Sequence, residues 1–266
     1  MRWLFFWSLL ASVLGSTVFF APTFATNSYT IDEFHIEMQL ARDDDGRATL
    51  TTTEVITVSY DTYTRGFTRS IPTTVHGNPN SLDVRSVKDP ETNDVPYSTY
   101  TNDEGRRVLE LEAAGDNVSG TKTYILTYTQ RDVVRMLDGA ERDEAYISLL
   151  GDDVSQPIEL FTARVDVDRS LEDAWNGESA CFTGSVEAAE ACPMVAEDIS
   201  FSTELRKLDA RRDVVFSVGF VDGTFSPYEP VRLRDWIVPT VFIFAGIVIA
   251  SIVAHSLWQR WQLNRK

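Results

Sequence analysis

Histidine, cysteine and lysine are scarce in this sequence. Its three histidines are His35, His76 and His255. No H-E-x-x-H, G-x-S-x-G, phosphate-binding loop or G-x-G-x-x-G pattern occurs, so the sequence signatures of zinc proteases, serine hydrolases and nucleotide enzymes are missing. A Ser-His-Asp site would have to be assembled from His35 or His76 without a supporting motif. The two cysteines, Cys181 and Cys192, form no C-x-x-C and have no histidine nearby, so they read as a disulfide rather than a metal or redox pair. Lysine supplies four of the 24 basic residues, a bias of base composition or habitat more than of chemistry.

Positive charge is thin where it would matter. All 40 acidic residues lie within residues 26–235, whereas Arg2, Arg260, Arg265 and Lys266 lie outside, so that stretch carries 20 basic residues and a formal charge of −20. Such a surface repels phosphate backbones and excludes nucleic acid as a partner.

Long apolar runs occur only at the two ends. Arg2 precedes a run from Trp3 to Phe20, and Thr23-Phe24-Ala25 closes it with small residues where a signal peptidase cuts. Residues 1–25 therefore read as an export signal, with an uncleaved signal anchor as the alternative, because the run is long. Residues 236–258 carry no formal charge, and their 23 residues at ~1.5 Å each reach ~35 Å, enough to cross a ~30 Å hydrocarbon core. Trp236 and Trp258 stand at the two interfaces of this expected transmembrane helix. The basic tail 259–266 marks the cytoplasmic side. The expected location is a plasma membrane, crossed once, with the N-terminal domain outside.

Between the ends the sequence alternates as strands do. Phe34, Ile36, Met38 and Leu40 share one face, Asp43-Asp44-Asp45-Gly46 is a turn, and Ala48 to Tyr60 alternates again, which predicts a hairpin. Further strands are expected at 81–88, 108–112, 121–134, 145–150, 158–167 and 214–221. Residues 131–144 read as a short helix or excursion loop, and 177–198 as a polar insertion stapled by the cysteines. Turn signals every ten residues or so predict a mainly β protein, an antiparallel β-sandwich of Ig-like architecture over residues 26–226, with decorated loops and a stiff linker at 227–235.

Several segments together resemble the exported N-terminal half of the bacterial predicted-membrane-protein family called domain of unknown function 2207. They are Gly46 to Leu50 running into Thr53-Glu54-Val55-Ile56, Arg65 to Pro72, Tyr124 to Thr129, Ala145 to Gly151 with Pro157-Ile158, Cys181-Phe182-Thr183-Gly184, and Val214 to Phe225. The resemblance covers residues 29–226 and implies an exported β-sandwich tethered to a plasma membrane. It implies no activity. Many members continue past the span into a cytoplasmic region, whereas this sequence ends at Lys266.

Chemistry is sparsely marked. No residue is singled out as catalytic, cofactor-binding or metal-ligating. The aspartates of the 43–46 turn lack the spaced ligands and distal glutamate of a calcium loop, so a plain hairpin turn is expected there. Arg65-Gly66-Phe67-Thr68-Arg69 sets two arginines about an aromatic. It reads either as a structural arginine paired with acids beside a core phenylalanine, or as a loop contacting an anionic or carbohydrate group through Arg65, Arg69 and His76. The expectation is a non-enzymatic binding or interaction module of the cell envelope. It would be partnered by the bilayer through residues 236–258 and by a membrane or envelope protein. The alternatives are an accessory subunit of a membrane transport or envelope complex, and a carboxylate-dependent envelope hydrolase.

Overall fold

In the computed structural model the described residues are 29–64, 66–75, 77–112, 118–136, 142–151, 153–185 and 188–229, with Ile247, Ile249, Ser251, Val253, Ala254 and Trp258. The export signal, most of the 236–258 stretch, residues 230–235 of the linker, the basic tail, Arg65 and His76 lie outside them.

Alternation forms the first hairpin as expected. In β1 (Tyr29–Arg42) the side chains of Phe34, Ile36, Met38 and Leu40 are buried while Glu37 and Gln39 face out. A register shift between Ile31 and Glu33 lets Ile31 and Phe34, three positions apart, both face inward. The turn is built by Asp43, whose Oδ1 accepts from the amides of Asp45 and Arg47 at 3.0 and 2.9 Å. Gly46 closes it at φ +81° and leads into β2 (Ala48–Thr64).

The chain continues through β3 (Phe67–Ile71), two-residue strands β4 (Thr74–Val75) and β5 (Asn78–Pro79), β6 (Asp83–Lys88), β7 (Tyr97–Thr101) and β8 (Arg107–Leu111). It then forms β9 (Val118–Arg131), β10 (Val134–Met136), β11 (Arg142–Ser148) and β12 (Ile158–Val167). A 3-10 helix, Arg169–Ala174, precedes β13 (Trp175–Ser185), β14 (Ala188–Ala191), β15 (Val195–Glu197), β16 (Ser200–Leu208) and β17 (Asp213–Val221).

The large sheet runs β15-β16-β12-β1-β2-β9-β6, the second β10-β11-β17-β13-β14, and the small one β3-β8-β7, with β4-β5 apart. The all-antiparallel expectation is corrected: β1 and β12 run parallel, from Ile31 opposite Ile158 to Leu40 opposite Val167. Side-chain alternation is the same in either sense, so it carries no record of strand direction. Residues 177–198, read as a polar insertion stapled by the cysteines, hold most of β13 with β14 and β15. Every residue of β14 and β15 is exposed, so no apolar period marks them. Residues 131–144 hold no helix among the described residues; they contain β10 and the start of β11.

One buried cluster draws on all three sheets: Phe34, Phe161 and Phe201 from the large one, Phe216 and Phe220 from the second, and Phe67, Leu109 and Leu111 from the small one. Burying each such side chain contributes about 1.5–3 kcal/mol. At one margin Cys181 and Cys192 join in a disulfide across the β13–β14 hairpin, with Cα atoms 5.2 Å apart. Replacing both by serine is expected to lower stability by about 2–3 kcal/mol, because the bridge restricts the unfolded chain. Denaturant unfolding of both proteins would show it, and a difference under about 0.5 kcal/mol would mean that the hairpin holds without the bridge.

Candidate functional site

Glu54 is the anomaly from which the site is built. It stands on the inward face of β2, between Thr52 and Ile56, and is fully buried. A charge there requires a partner, and β3 supplies it. Arg69 Nε donates to Glu54 Oε2 at 2.8 Å and Nη2 to Oε1 at 2.7 Å. The other N–H groups reach the carbonyls of Ser70 (2.8 Å), Leu150 (3.0 Å) and Leu149 (2.6 Å), so all five guanidinium donors are engaged. Tyr128 on β9 donates its hydroxyl to Glu54 Oε1 at 2.8 Å, and the Phe34 ring lies 5.5 Å from the guanidinium.

The electrostatics follow from this packing. Burial works against the Arg69 cation, but the Glu54 carboxylate outweighs it and holds the guanidinium protonated. Burial and then the Glu54 charge push the Tyr128 hydroxyl well above its ordinary value, so it remains a donor. Nearby, Tyr60 and Tyr124 share a 3.0 Å hydroxyl contact and Tyr124 donates to Glu112 at 2.8 Å; burial raises both tyrosines. The Glu54–Arg69–Tyr128 cluster thus ties the large sheet to β3 and to the chain leaving β11. Glu54 is held by Arg69 and Tyr128 and has no idle oxygen for proton transfer.

Two recesses flank β3. The first, about 190 Å³, is lined by Leu50, Ile71, Pro72, Asn80, Gln130 and Tyr146. Asn80 and Gln130 both donate to the Pro72 carbonyl, at 3.2 and 3.0 Å, and the buried Asn80 Oδ1 has no partner among the described residues. The second, about 300 Å³, lies among Tyr29, Phe67, Tyr100, Asn102, Asp153 and Ser155. Its carboxylate is neutralised, since Asp153 pairs with Arg106 at 2.8 Å. The Tyr100 ring stays 48% exposed. Both recesses mix apolar walls with amide and hydroxyl groups, and Arg69, which lines each, has its donors already engaged, which suits an uncharged polar ligand or peptide more than an ion.

The residues singled out in the sequence scatter. Arg69 is buried and paired with Glu54, and Arg65 and His76 lie outside the described residues. His35 sits on the outer face of the large sheet, 2.7 Å from Thr162 Oγ1 and 3.2 Å from Glu37 Oε1. Asp43 and Asp45 are both held by Arg131, at 2.6 and 2.5 Å. No group of three or more His, Cys, Asp or Glu among the described residues is placed to hold a metal ion. Glu54 and Tyr128 were missed in the sequence, although an acid at an inward position of an alternating strand was a legible signal.

Two adjacent buried acids, Asp143 and Glu144, are shifted in opposite directions. Glu144 is held below its ordinary value: burial pushes it up, but the Ser217 hydroxyl and Arg135 outweigh that. Its neighbour Asp143 is raised, first by burial, although the Phe225 amide donates to it at 2.9 Å. A depressed folded value contributes stability above the unfolded pKa that is lost as pH falls through the folded one; a raised value contributes below the unfolded pKa and is lost as pH rises through the folded one. Glu144→Gln should therefore destabilise at neutral pH, with the deficit shrinking as pH falls below about 4. Asp143→Asn should be best tolerated at neutral pH. Unfolding curves across pH check both, and parallel profiles for the two variants would refute the assignment.

A family model described as "Predicted membrane protein (DUF2207) N-terminal domain" matches residues 30–218. A search among curated proteins finds no match. Among solved structures, the chain is similar to an M1 zinc metallopeptidase from Deinococcus radiodurans, at 11% identity and a TM-score of 0.41, covering 71% of this chain and 42% of that one. It is also similar to leukotriene A4 hydrolase from Saccharomyces cerevisiae, at 10% identity and a TM-score of 0.44, covering 72% of this chain and 29% of that one. The chain thus spans well under half of either structure, and at these scores the likeness says nothing of chemistry. The family match runs from β1 into β17 and takes in Glu54, Arg69, Tyr128 and both cysteines; the chain belongs to the DUF2207 predicted membrane proteins, and residues 30–218 are their N-terminal domain.

Proposed function

We propose that this is a single-pass membrane protein whose β domain, an Ig-like sandwich, stands outside a plasma membrane and acts as a non-enzymatic binding or interaction module. The observation that carries the reading is the full engagement of Glu54 and Arg69 beside two recesses whose charged lining residues, Arg69 and Asp153, are each paired. The buried charges hold the sheets together, and the recesses offer shape and hydrogen bonds without an acid-base pair.

The membrane part is supported by the family's description and by the helical residues near the C-terminus. Ile247 and Ile249 lie about 200° apart around a helix, yet are 58% and 62% exposed. Ser251 donates its hydroxyl to the Ile247 carbonyl at 2.8 Å, which satisfies it within the helix as lipid requires. Among the described residues no helix is long and apolar enough to cross a membrane, and most of the 236–258 stretch lies outside them.

A partner role has support of its own. β7 pairs only with β8 among the described residues, every residue of it is exposed, and Tyr97 and Tyr100 lie on it. An open strand edge with tyrosines accepts an extended segment of another chain, as an accessory subunit of an envelope complex would. Crosslinking of tagged full-length protein in native membranes, followed by mass spectrometry, tests the proposal. A recurrent envelope partner is expected, with its crosslinks at β7 or the recesses. A hydrolytic activity that follows the purified protein and is abolished by one carboxylate substitution would overturn it.

A further inference from the structure

The chain does not leave the domain where its last strand ends. After Val221 it stays bound through Tyr228. The Asp143 carboxylate accepts from the Phe225 amide at 2.9 Å, and the Phe225 ring packs edge-on against Phe220, 5.2 Å between centroids. Arg42 donates to the Thr224 carbonyl at 2.9 Å, and the Ser226 amide donates to the Gly46 carbonyl at 2.8 Å. The Arg47 guanidinium lies over the Tyr228 ring, 5.4 Å from its centre. The exit segment comes close to the turn at Gly46, where an added Cβ would stand 2.5 Å from Ser226 Oγ and 3.5 Å from its Cβ.

Three of these five anchors, Arg42, Gly46 and Arg47, lie on the last residue of β1 or on the turn that follows it, at one end of the long strands. The opposite end, where Tyr29 faces Tyr60, is 13 residues away along β1. At ~3.3 Å per residue that is about 40 Å. Seven residues separate Tyr228 from Trp236, where the apolar stretch begins, so the two lie at most ~29 Å apart. The leash is shorter than the strands it serves.

We infer that the domain stands on the membrane by this end, with the 43–47 turn, Met136 and Tyr228 against the lipid headgroups. The recess beside Tyr29 and Tyr100 is then carried toward the far end. This rests on reading residues 236–258 as a membrane span. The chemistry of the end fits a headgroup surface. Tyr228 and the exposed Met136 are side chains suited to an interface. Asp43 and Asp45 are paired with Arg131, and Asp132 with Arg47, which lowers repulsion from anionic lipid.

The test uses the full chain, disulfide intact, in nanodiscs of equal parts phosphatidylethanolamine and phosphatidylglycerol with a short-range headgroup quencher. A fluorophore is placed through Asp44→Cys on the turn or through Ser119→Cys at the far end; both positions are exposed. Quenching at 44 should exceed that at 119 by about tenfold, since the quencher's range is far shorter than the ~40 Å between them. Equal quenching at the two positions, or stronger quenching at 119, overturns the inference. Alkaline carbonate extraction separates the two ideas. Release of the chain overturns the span and the docking with it, whereas retention with equal quenching overturns the docking alone.

Discussion

Arg69→Met is expected to destabilise the domain by about 3–5 kcal/mol, because it leaves Glu54 charged, buried and without its ion-pair partner. For a domain of this size that lowers the melting temperature by roughly 6–20 °C. The loss exceeds what the pair contributes relative to an apolar substitute, since removing one partner exposes the full desolvation penalty of the other. The double variant Glu54→Leu with Arg69→Met should therefore recover much of the loss. Recovery will be incomplete, because the Tyr128 hydroxyl and the carbonyls of Leu149, Leu150 and Ser70 also lose partners. Thermal melts of the full chain in detergent, followed by near-ultraviolet circular dichroism, measure all three. A single variant within about 1 kcal/mol of the parent would mean that water already reaches the pair.

Phe161→Ala should cost a further about 3–5 kcal/mol when measured alone, through lost burial and the cavity left behind. Phe161 is fully buried, pairs with Phe34 across the parallel β1–β12 ladder, and has its ring 6.3 Å from that of Phe34. Phe161→Leu should stay within about 1.5 kcal/mol. Glu159→Ala, exposed on the same strand, should stay within about 0.5 kcal/mol. Comparable values for Phe161→Ala and Glu159→Ala would contradict the burial of Phe161 between the sheets.

How much was legible depended on whether a strand has one wet face. β1, β2, β9 and β12 each bury alternate residues, and their positions were readable within a few residues; β17, buried on both faces, was readable as a short apolar run. β7, β14 and β15 are exposed throughout and carry no apolar period, so they were passed over. β3 was hidden differently: Arg69 and Ser70 are buried beside Phe67 and Ile71, so its inward residues include a charge and a hydroxyl. The Cys181–Cys192 pairing was readable from number and spacing alone.

Sequence by itself determined the acidity of residues 26–235, the apolar ends, the Asp43-to-Gly46 turn and the faces of the long strands. Each is set within a window of a few to some twenty residues, where periodicity, charge and turn chemistry act locally. Tertiary structure alone decided that β12 runs parallel to β1, that Arg69 closes on Glu54, and that the exit segment lies along the first turn. Those outcomes rest on contacts between residues far apart in the chain, such as the 81 positions from Arg69 to Leu150 and the 182 from Arg42 to Thr224. No local pattern records such a distance. A buried carboxylate finds its partner wherever the fold brings one, because leaving it unpaired in the core would cost more than the fold can spare.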